Sequence, residues 1–257
     1  MKDAVQRVRS YKVIVVLPAY NEEENMPGLL DNLVETLTDA SLDFEVIVVD
    51  DGSTDGTPEI LAAYRDRMPL HTYRHERNEG LGATIRDGLF HASRCARPKD
   101  IIVTMDADET HAPGLILRMV RMVKEGHDVV IASRYQRGAR VVGLSLHRRA
   151  ISSAASLLLR ILFPMPGVRD YTCGYRAYRA ETLLKAIDMY GDRFVDQEGF
   201  QCMVDILLKL RRMPLVVAGE VPLILRYDLK KGASKMRIFE TSWRTLKLLV
   251  ARKFGRV

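Results

Sequence analysis

Apolar runs of strand length recur through the first half of the chain, each followed by a stretch with helical spacing. Residues 13–17 (Val-Ile-Val-Val-Leu) form an unbroken, mostly β-branched run, the pattern of a strand buried on both faces. The run stops at Pro18, and Asn21 with Glu24 three residues later has the form of a capping box opening a helix through Leu37. A second such strand, 44–49, ends in Asp50-Asp51-Gly52-Ser53. Thr57-Pro58 then offers an N-cap and a first-turn proline for a helix to Tyr64. A weaker strand is predicted at 71–74, a glycine-bearing turn at Asn78-Glu79-Gly80-Leu81-Gly82, and a helix over 83–93. A strand at 101–105, a helix from about Pro113 and a strand at 128–132 follow. Such alternation predicts an α/β fold with a parallel sheet and helices on both faces, its ligands at the carboxyl ends of the strands. The polar clusters Tyr20–Glu22, Asp50–Ser53 and Asp106–Asp108 all fall at those ends.

Beyond Arg134 the pattern changes. Residues 134–144 read as a Gly- and Arg-rich loop. Residues 147–163 have helical spacing, with Ile151, Ala155, Leu158 and Leu162 on one face and Arg148, Ser152, Ser156 and Arg160 off it; Pro164 and Pro166 end the helix. A short strand or turn is expected at 170–176, helices at 181–189 and 198–211, and a last strand at 216–225. A terminal helix over 236–254 aligns Phe239, Trp243, Leu246 and Val250 among many Lys and Arg. A basic amphipathic helix either packs on a core or lies on a membrane surface. With no repeat and no low-complexity linker, the expected organisation is a domain over 11–225 and a basic extension over 226–257.

Composition narrows the class. The 257 residues are 47% hydrophobic and 28% charged, ordinary for a soluble globular chain. Cys95, Cys173 and Cys202 show neither metal-ligand spacing nor a disulfide framework, so a reducing, cytoplasmic setting is expected. The N-terminus lacks a signal-peptide pattern, and no run reaches the roughly 18 apolar residues of a membrane span. The net charge of +6 conceals an asymmetry: residues 129–169 hold seven Arg and no acid, and residues 226–257 hold ten Lys or Arg against two acids. A basic surface thus opposes an acidic remainder, which suits an anionic partner such as a phosphate-bearing lipid, a membrane surface or nucleic acid. No recognisable nucleic-acid motif accompanies it.

The most pointed chemistry is Met105-Asp106-Ala107-Asp108. Residues two apart on a strand share a face, so both carboxylates belong side by side at the sheet edge. There they repel unless a cation neutralises them. A divalent-metal site for a phosphorylated ligand and a solvated strand end are both consistent with that pair alone.

Four motifs occur in order: Pro18-Ala19-Tyr20-Asn21-Glu22, the run from Val49-Asp50-Asp51-Gly52-Ser53 to Thr57, Asn78-Glu79-Gly80-Leu81-Gly82, and Met105-Asp106-Ala107-Asp108. Together they resemble the GT-A fold family 2 glycosyltransferases, whose fold is a Rossmann-like, mostly parallel sheet. Ser133-Arg134-Tyr135, the run Asp170-Tyr171-Thr172-Cys173-Gly174-Tyr175-Arg176, and Gly232-Ala233-Ser234-Lys235 narrow the resemblance to the dolichol- or polyprenyl-phosphate sugar synthases. It implies inverting transfer of a sugar, mannose foremost, from a GDP- or UDP-sugar to a polyprenyl or dolichyl phosphate at the cytoplasmic membrane face. Tyr20 would pack on ring surfaces, and Glu22, Asp50 and Asp51 would accept hydrogen bonds from base or ribose. Pro18 would shape that pocket, and Asp106 with Ala107 would complete the donor site. Mg²⁺ or Mn²⁺ would sit on Asp108 and Asp106, with Glu109 a further candidate ligand. Arg134 and one of Arg148 or Arg149 would hold the acceptor phosphate, with Ser234 and Lys235 closing the site; Asp106, Asp108 and Arg134 form the catalytic set.

Three departures stand out. Thr110 occupies the position where the family often has Gln or Ser, and Leu229 stands where many relatives have Arg, with Arg226, Lys230 and Lys231 as neighbouring substitutes. The family's optional C-terminal transmembrane helices have no counterpart, so attachment is expected to be peripheral, through the amphipathic helices. The alternative is a soluble glycan or small-molecule acceptor, which requires a general base; Glu198 is its candidate.

Overall fold

The computed structural model describes residues 11–143, 146–226 and 238–253. The most apolar run, β1 (Val13–Ala19), lies at the centre of the sheet. It pairs in parallel with β2 (Phe44–Asp50) on one side and β4 (Ile101–Thr104) on the other, so that Val16 faces both Ile47 and Thr104. β3 (Leu70–Arg74) extends the sheet in parallel beyond β2. The helices α1 (Met26–Asp39), α2 (Thr57–Tyr64) and α3 (Leu81–Cys95) return the chain between these strands. Leu29, Leu30, Leu33 and Leu37 of α1 are buried at helical spacing, and burying such a stripe is what holds a surface helix to its sheet.

After α4 (Leu115–Lys124) come β5 (Val129–Ser133), β6 (Arg140–Val142) and α5 (Leu146–Leu162). The chain continues as β7 (Arg176–Arg179), α6 (Ala180–Tyr190), a 3₁₀ turn (Gly191–Val195) and α7 (Gln201–Leu210). It closes with β8 (Ala218–Pro222), β9 (Ile224–Arg226) and α8 (Ile238–Lys253). The main sheet runs β3-β2-β1-β4-β7-β5-β8, with β7 antiparallel to both neighbours and every other pair parallel. β6 and β9 pair separately.

Several local expectations are corrected. The short strand or turn expected at 170–176 is a turn up to Tyr175, and the strand, β7, begins only at Arg176, in mid-sheet. Its first residue, Arg176, is fully buried and donates to Met203 O (2.6 Å) and Tyr171 O (2.8 Å). An Arg at a strand start reads as surface, because burial without such acceptors is costly. The 134–144 loop contains β6, and the strand expected at 216–225 divides at Leu223 between two sheets. The capping box at Asn21 does not form: Asn21 takes a left-handed φ of 51°, and α1 starts at Met26. Thr57 is the first residue of α2 rather than its cap, and its hydroxyl accepts from Glu22 N (2.9 Å).

The two amphipathic helices leave part of their expected apolar stripes, Leu158 in α5 and Leu246 and Val250 in α8, exposed. Among the described side chains of α5, Ser156 and Leu159 are buried, while Leu157, Leu158 and Ile161 are exposed. In α8, Leu248 and Leu249 are buried and Leu246 and Val250 are exposed. Arg252 anchors α8 by donating from Nε (2.7 Å) and Nη2 (2.8 Å) to the buried Asp205 of α7, which also pairs with Lys209 Nζ at 2.7 Å. Neighbouring Asp196 pairs with Lys209 at 3.1 Å. Burial alone would raise the Asp196 carboxyl; hydrogen bonds and the Lys209 ammonium bring it down to about 2.

Candidate active site

The ends of β1 and β2 are stitched together by short polar side chains. Asp51 N donates to Ala19 O (2.8 Å), Asn21 N to Ser53 Oγ (2.9 Å), and Thr54 N to Asn21 Oδ1 (2.8 Å). Asn25 Nδ2 donates to Glu22 Oε2 at 2.7 Å. Asp50 is buried and accepts from Ser53 N (2.9 Å) at Oδ1; its Oδ2 lies 3.3 Å from Arg74 Nε, an ion-pair distance without hydrogen-bond geometry. That oxygen is buried and accepts no hydrogen bond from the chain. Asp51 is engaged internally: it accepts from Glu79 N (2.8 Å) and Gly80 N (2.9 Å) and contacts His75 Nδ1 at 2.7 Å. It thus fixes the Asn78–Gly82 turn that opens α3. That turn requires glycine at 82, where a Cβ would stand 1.7 Å from Gln197 O. Pro18 and Tyr20 are partly exposed beside these loops, and Ala107 is buried.

Asp106 and Asp108 follow β4 directly. Because Ala19 pairs with Asp50 and Val16 with Thr104, the acidic pair and Asp50 flank the end of β1 at about one level. Asp106 is partly exposed; its N–H lies 3.4 Å from His111 Nδ1, and His111 stacks on Tyr175 with ring centroids 4.9 Å apart. Asp108 Oδ1 accepts from Thr110 Oγ1 (2.6 Å) and Thr110 N (3.2 Å), so the departure at 110 orients the aspartate. Glu109 does not join the pair. Its φ is 56°, and Oε1 reaches α1, where a Cβ on Gly28 would be only 2.1 Å away. Among the described residues no three acidic, His or Cys side chains converge as a complete metal cage. A pair of partly exposed carboxylates at the sheet edge nevertheless fits a cation whose remaining positions are taken by phosphate oxygens and water. The backbone of β9 lies alongside, with Arg226 N donating to Thr110 O at 3.2 Å.

On the other side of β7 stands Arg134, just after β5. Two strand spacings separate the ends of β4 and β5, about 10 Å. Arg134 is held as a fork: Nε to Asp170 Oδ2 and Nη2 to Asp170 Oδ1, both at 2.8 Å, with Nη2 also donating to Thr172 Oγ1. Asp170 is fully buried and accepts from the N–H groups of Arg134, Thr172 and Cys173 as well. Burial alone would raise the Asp170 carboxyl; the guanidinium and these donors reverse that and hold it below the usual carboxylate range. Conversely, burial would lower Arg134, and Asp170 raises it above the ordinary Arg value. Burial pushes the adjacent Cys173 thiol up to about 12, so it carries no thiolate at neutral pH. The same loop reaches Asp106: Thr104 Oγ1 donates to Gly174 O (2.7 Å), and a Cβ on Gly174 would lie 3.4 Å from Asp106 Oδ1. Asp170 is thus a site residue to which sequence reasoning gave no role. Its signal was its position, as the first acid after the acid-free stretch 129–169, followed two residues later by a Thr.

The side chains of Arg148 and Arg149, and all of Leu229, Lys230, Lys231, Ser234 and Lys235, lie outside the described residues. Glu198, the candidate base, has an exposed side chain 3.3 Å from Arg244 Nη1, and its backbone O accepts from Gly82 N.

Residues 14–185 match the family model described as glycosyl transferase family 2. The chain belongs to that family. It is 31% identical to a dolichol-phosphate mannosyltransferase of Pyrococcus furiosus, over 89% of this chain and 61% of that protein. This chain thus spans less than two thirds of that relative's length. It is 35% identical to a polyprenol monophosphomannose synthase of Mycolicibacterium smegmatis, over 88% of this chain and 81% of the relative. Identity is 34% to an undecaprenyl-phosphate mannosyltransferase of Micrococcus luteus, over 88% and 87%. In fold it is similar to glucosyl-3-phosphoglycerate synthase from Mycobacterium tuberculosis, solved with Mn²⁺, UDP and phosphoglyceric acid. That likeness has a TM-score of 0.63 at 22% identity and covers 95% of this chain and 79% of the other. It supports the α/β, GT-A-like architecture with a mostly parallel sheet.

Proposed function

We propose that this family 2 glycosyltransferase moves mannose from a GDP- or UDP-sugar to a polyprenyl or dolichyl phosphate at the cytoplasmic face of a membrane. The observation that carries the reading is the loop from Asp170 to Tyr175. It holds a guanidinium at one end and abuts the Asp106 carboxylate at the other, so one element sets the distance between an anion clamp and a cation site. The names of the three relatives supply the sugar and the acceptor class.

In this reading Asp50, Glu22 and Tyr20 hold the nucleoside, Pro18 and Ala107 shape its pocket, and Asp51 keeps the Asn78–Gly82 turn in place. Asp106 and Asp108 would hold Mg²⁺ or Mn²⁺, which when bound neutralises charge building on the departing diphosphate. Arg134 offers the acceptor phosphate the guanidinium edge not used by Asp170, with Arg148 or Arg149, Ser234 and Lys235 as further donors. The acceptor is already an anion at neutral pH, so its oxygen forms the new bond to the anomeric carbon without losing a proton. The bond from that carbon to the diphosphate breaks, and its electron pair leaves with the nucleoside diphosphate. Attack from the face opposite the leaving group inverts the configuration.

The membrane part rests on two faces, Leu157, Leu158 and Ile161 of α5 and Leu246 and Val250 of α8, which expose apolar side chains among Arg and Lys. No helix among the described residues is long and apolar enough to cross a membrane. Transfer is tested by incubating the protein with radiolabelled GDP-mannose, UDP-sugars, Mg²⁺ and polyprenyl phosphate. Label is expected in an organic-extractable product, and label only in water-soluble glycans would refute the lipid acceptor. Flotation with vesicles containing anionic lipid tests attachment, and a protein left at the bottom of the gradient refutes it.

A further inference from the structure

A cavity of about 740 Å³ lies between the second half of α5, the loop at 164–169 and the edge strand β8. One end is marked by Gln136, two residues past Arg134, and by Arg169, whose guanidinium donates to Tyr135 O at 3.4 Å. α5 connects the same two places. Tyr135 OH and Ser152 Oγ are 2.8 Å apart beside Arg134, and an α-helix advances about 8 to 14 Å from Ser152 to Leu157 and Ile161. The cavity therefore leads away from the anion clamp along one helix.

Its walls are apolar where it matters. Leu157 and Ile161, one helical turn apart, are 54% and 68% exposed, and Met165, Val168 and Tyr171 also line the space. Most polar groups in the wall are already engaged by the chain, and the exposed Arg160 adds a cation to the lining. Glu220 Oε1 accepts from Arg169 N (2.6 Å) and Asp170 N (2.7 Å), Tyr171 OH donates to Phe163 O (2.6 Å), and His127 Nδ1 bonds Met122 O (3.0 Å). What remains is a lining more apolar than polar, with Arg160 in it, next to a cationic head site, which suits an amphiphile with an anionic head and an apolar tail. Exposed apolar side chains of this size, grouped rather than scattered, mark an interaction site.

We propose that this cavity receives the isoprene units nearest the phosphate of the acceptor, drawing the tail along α5 and over the edge of β8. The proposal rests on the lipid-phosphate reading above. It adds that the protein recognises tail as well as head, so that acceptors are discriminated by chain length.

The test uses the full chain in detergent micelles, which removes bilayer docking from the measurement. The double variant Leu157→Gln/Ile161→Gln changes exposed side chains and leaves the core intact. It is expected to raise KM for a long polyprenyl phosphate about tenfold, and to bring it within about twofold of KM for a phosphate with a single isoprenyl unit. Direct occupancy is read with a polyprenyl phosphate carrying a diazirine on its second isoprene unit. Label on residues 157–168, lost in the double variant, supports the proposal whether or not sugar is transferred. Label elsewhere overturns it. So does an unchanged long-chain KM in micelles combined with lost vesicle flotation, which assigns these side chains to the bilayer alone. Failure of wild-type protein to glycosylate any prenyl phosphate would refute the transferase reading but not the labelling result.

Discussion

At the ends of β1 and β2 many short bonds share the work of shaping the site, whereas beyond β5 one buried ion pair does most of it. Asn21, Ser53, Thr54 and Thr57 cross-link two neighbouring loops through single hydrogen bonds, most of them to backbone N–H groups. On the proposed acceptor side, Asp170 collects Arg134 and three N–H groups at one carboxylate. A distributed set of bonds degrades gradually, but a buried pair fails at once, because its survivor is left desolvated without a partner. The proposed donor side also uses only parallel neighbours, while the proposed acceptor side depends on an antiparallel strand inserted between β4 and β5.

The sharpest break between the two sides is in activity. Asp108→Asn keeps the Thr110 hydrogen bonds but removes the charge a cation requires, so transfer should fall by about 10³ with an unchanged melting temperature. Retention of near wild-type turnover would deny the donor side its metal. The next effect is on stability. Asp170→Asn should cost about 3 kcal/mol in urea unfolding, since it strips the buried partner from Arg134. A loss below about 1 kcal/mol would mean that solvent already screens the pair. Asn21→Ala should cost only about 1 kcal/mol in the same assay, for one lost acceptor and a left-handed φ that Asn tolerates better than Ala. Were its cost equal to that of Asp170→Asn, the contrast would collapse.

The smallest effect concerns pH. Burial would lower His75, but hydrogen bonds donated to the Asp51 and Asp87 carboxylates raise it above its ordinary value. Its folded state therefore holds the proton to higher pH than the unfolded chain does. The resulting stability is complete below about pH 6.5 and is lost as pH rises through the raised value. Unfolding curves from pH 6 to 9 should show that decline, at about 1 kcal/mol or less. His75→Gln should flatten it, and an unchanged slope would place the titrating group elsewhere.

Much of the donor side was legible along the chain. Continuous β-branched runs identify buried parallel strands, and polar clusters at their ends identify a ligand edge, because periodicity and connection rules act over a few residues. The capping box at Asn21 misled for an instructive reason: a side chain that caps a helix in isolation was recruited by the neighbouring loop at Thr54. On the acceptor side the arginines stood out by composition. Their partners did not, since Asp170 and Arg134 are 36 residues apart. The stripe in α5 was likewise visible as a pattern, yet nothing local shows that Leu159 faces the core while Leu157 and Ile161 line a cavity.

The amino-acid sequence by itself determined the order of strands and helices up to β5, the acidic edge and the basic second half, because each follows from local spacing and charge. Tertiary structure alone decided that β7 enters the sheet antiparallel beside β4, that Asp170 orients Arg134, and that Glu109 turns to Gly28 rather than to Asp108. Those outcomes depend on which distant groups can satisfy a buried charge or fill a space. Only the closed packing of the chain decides that.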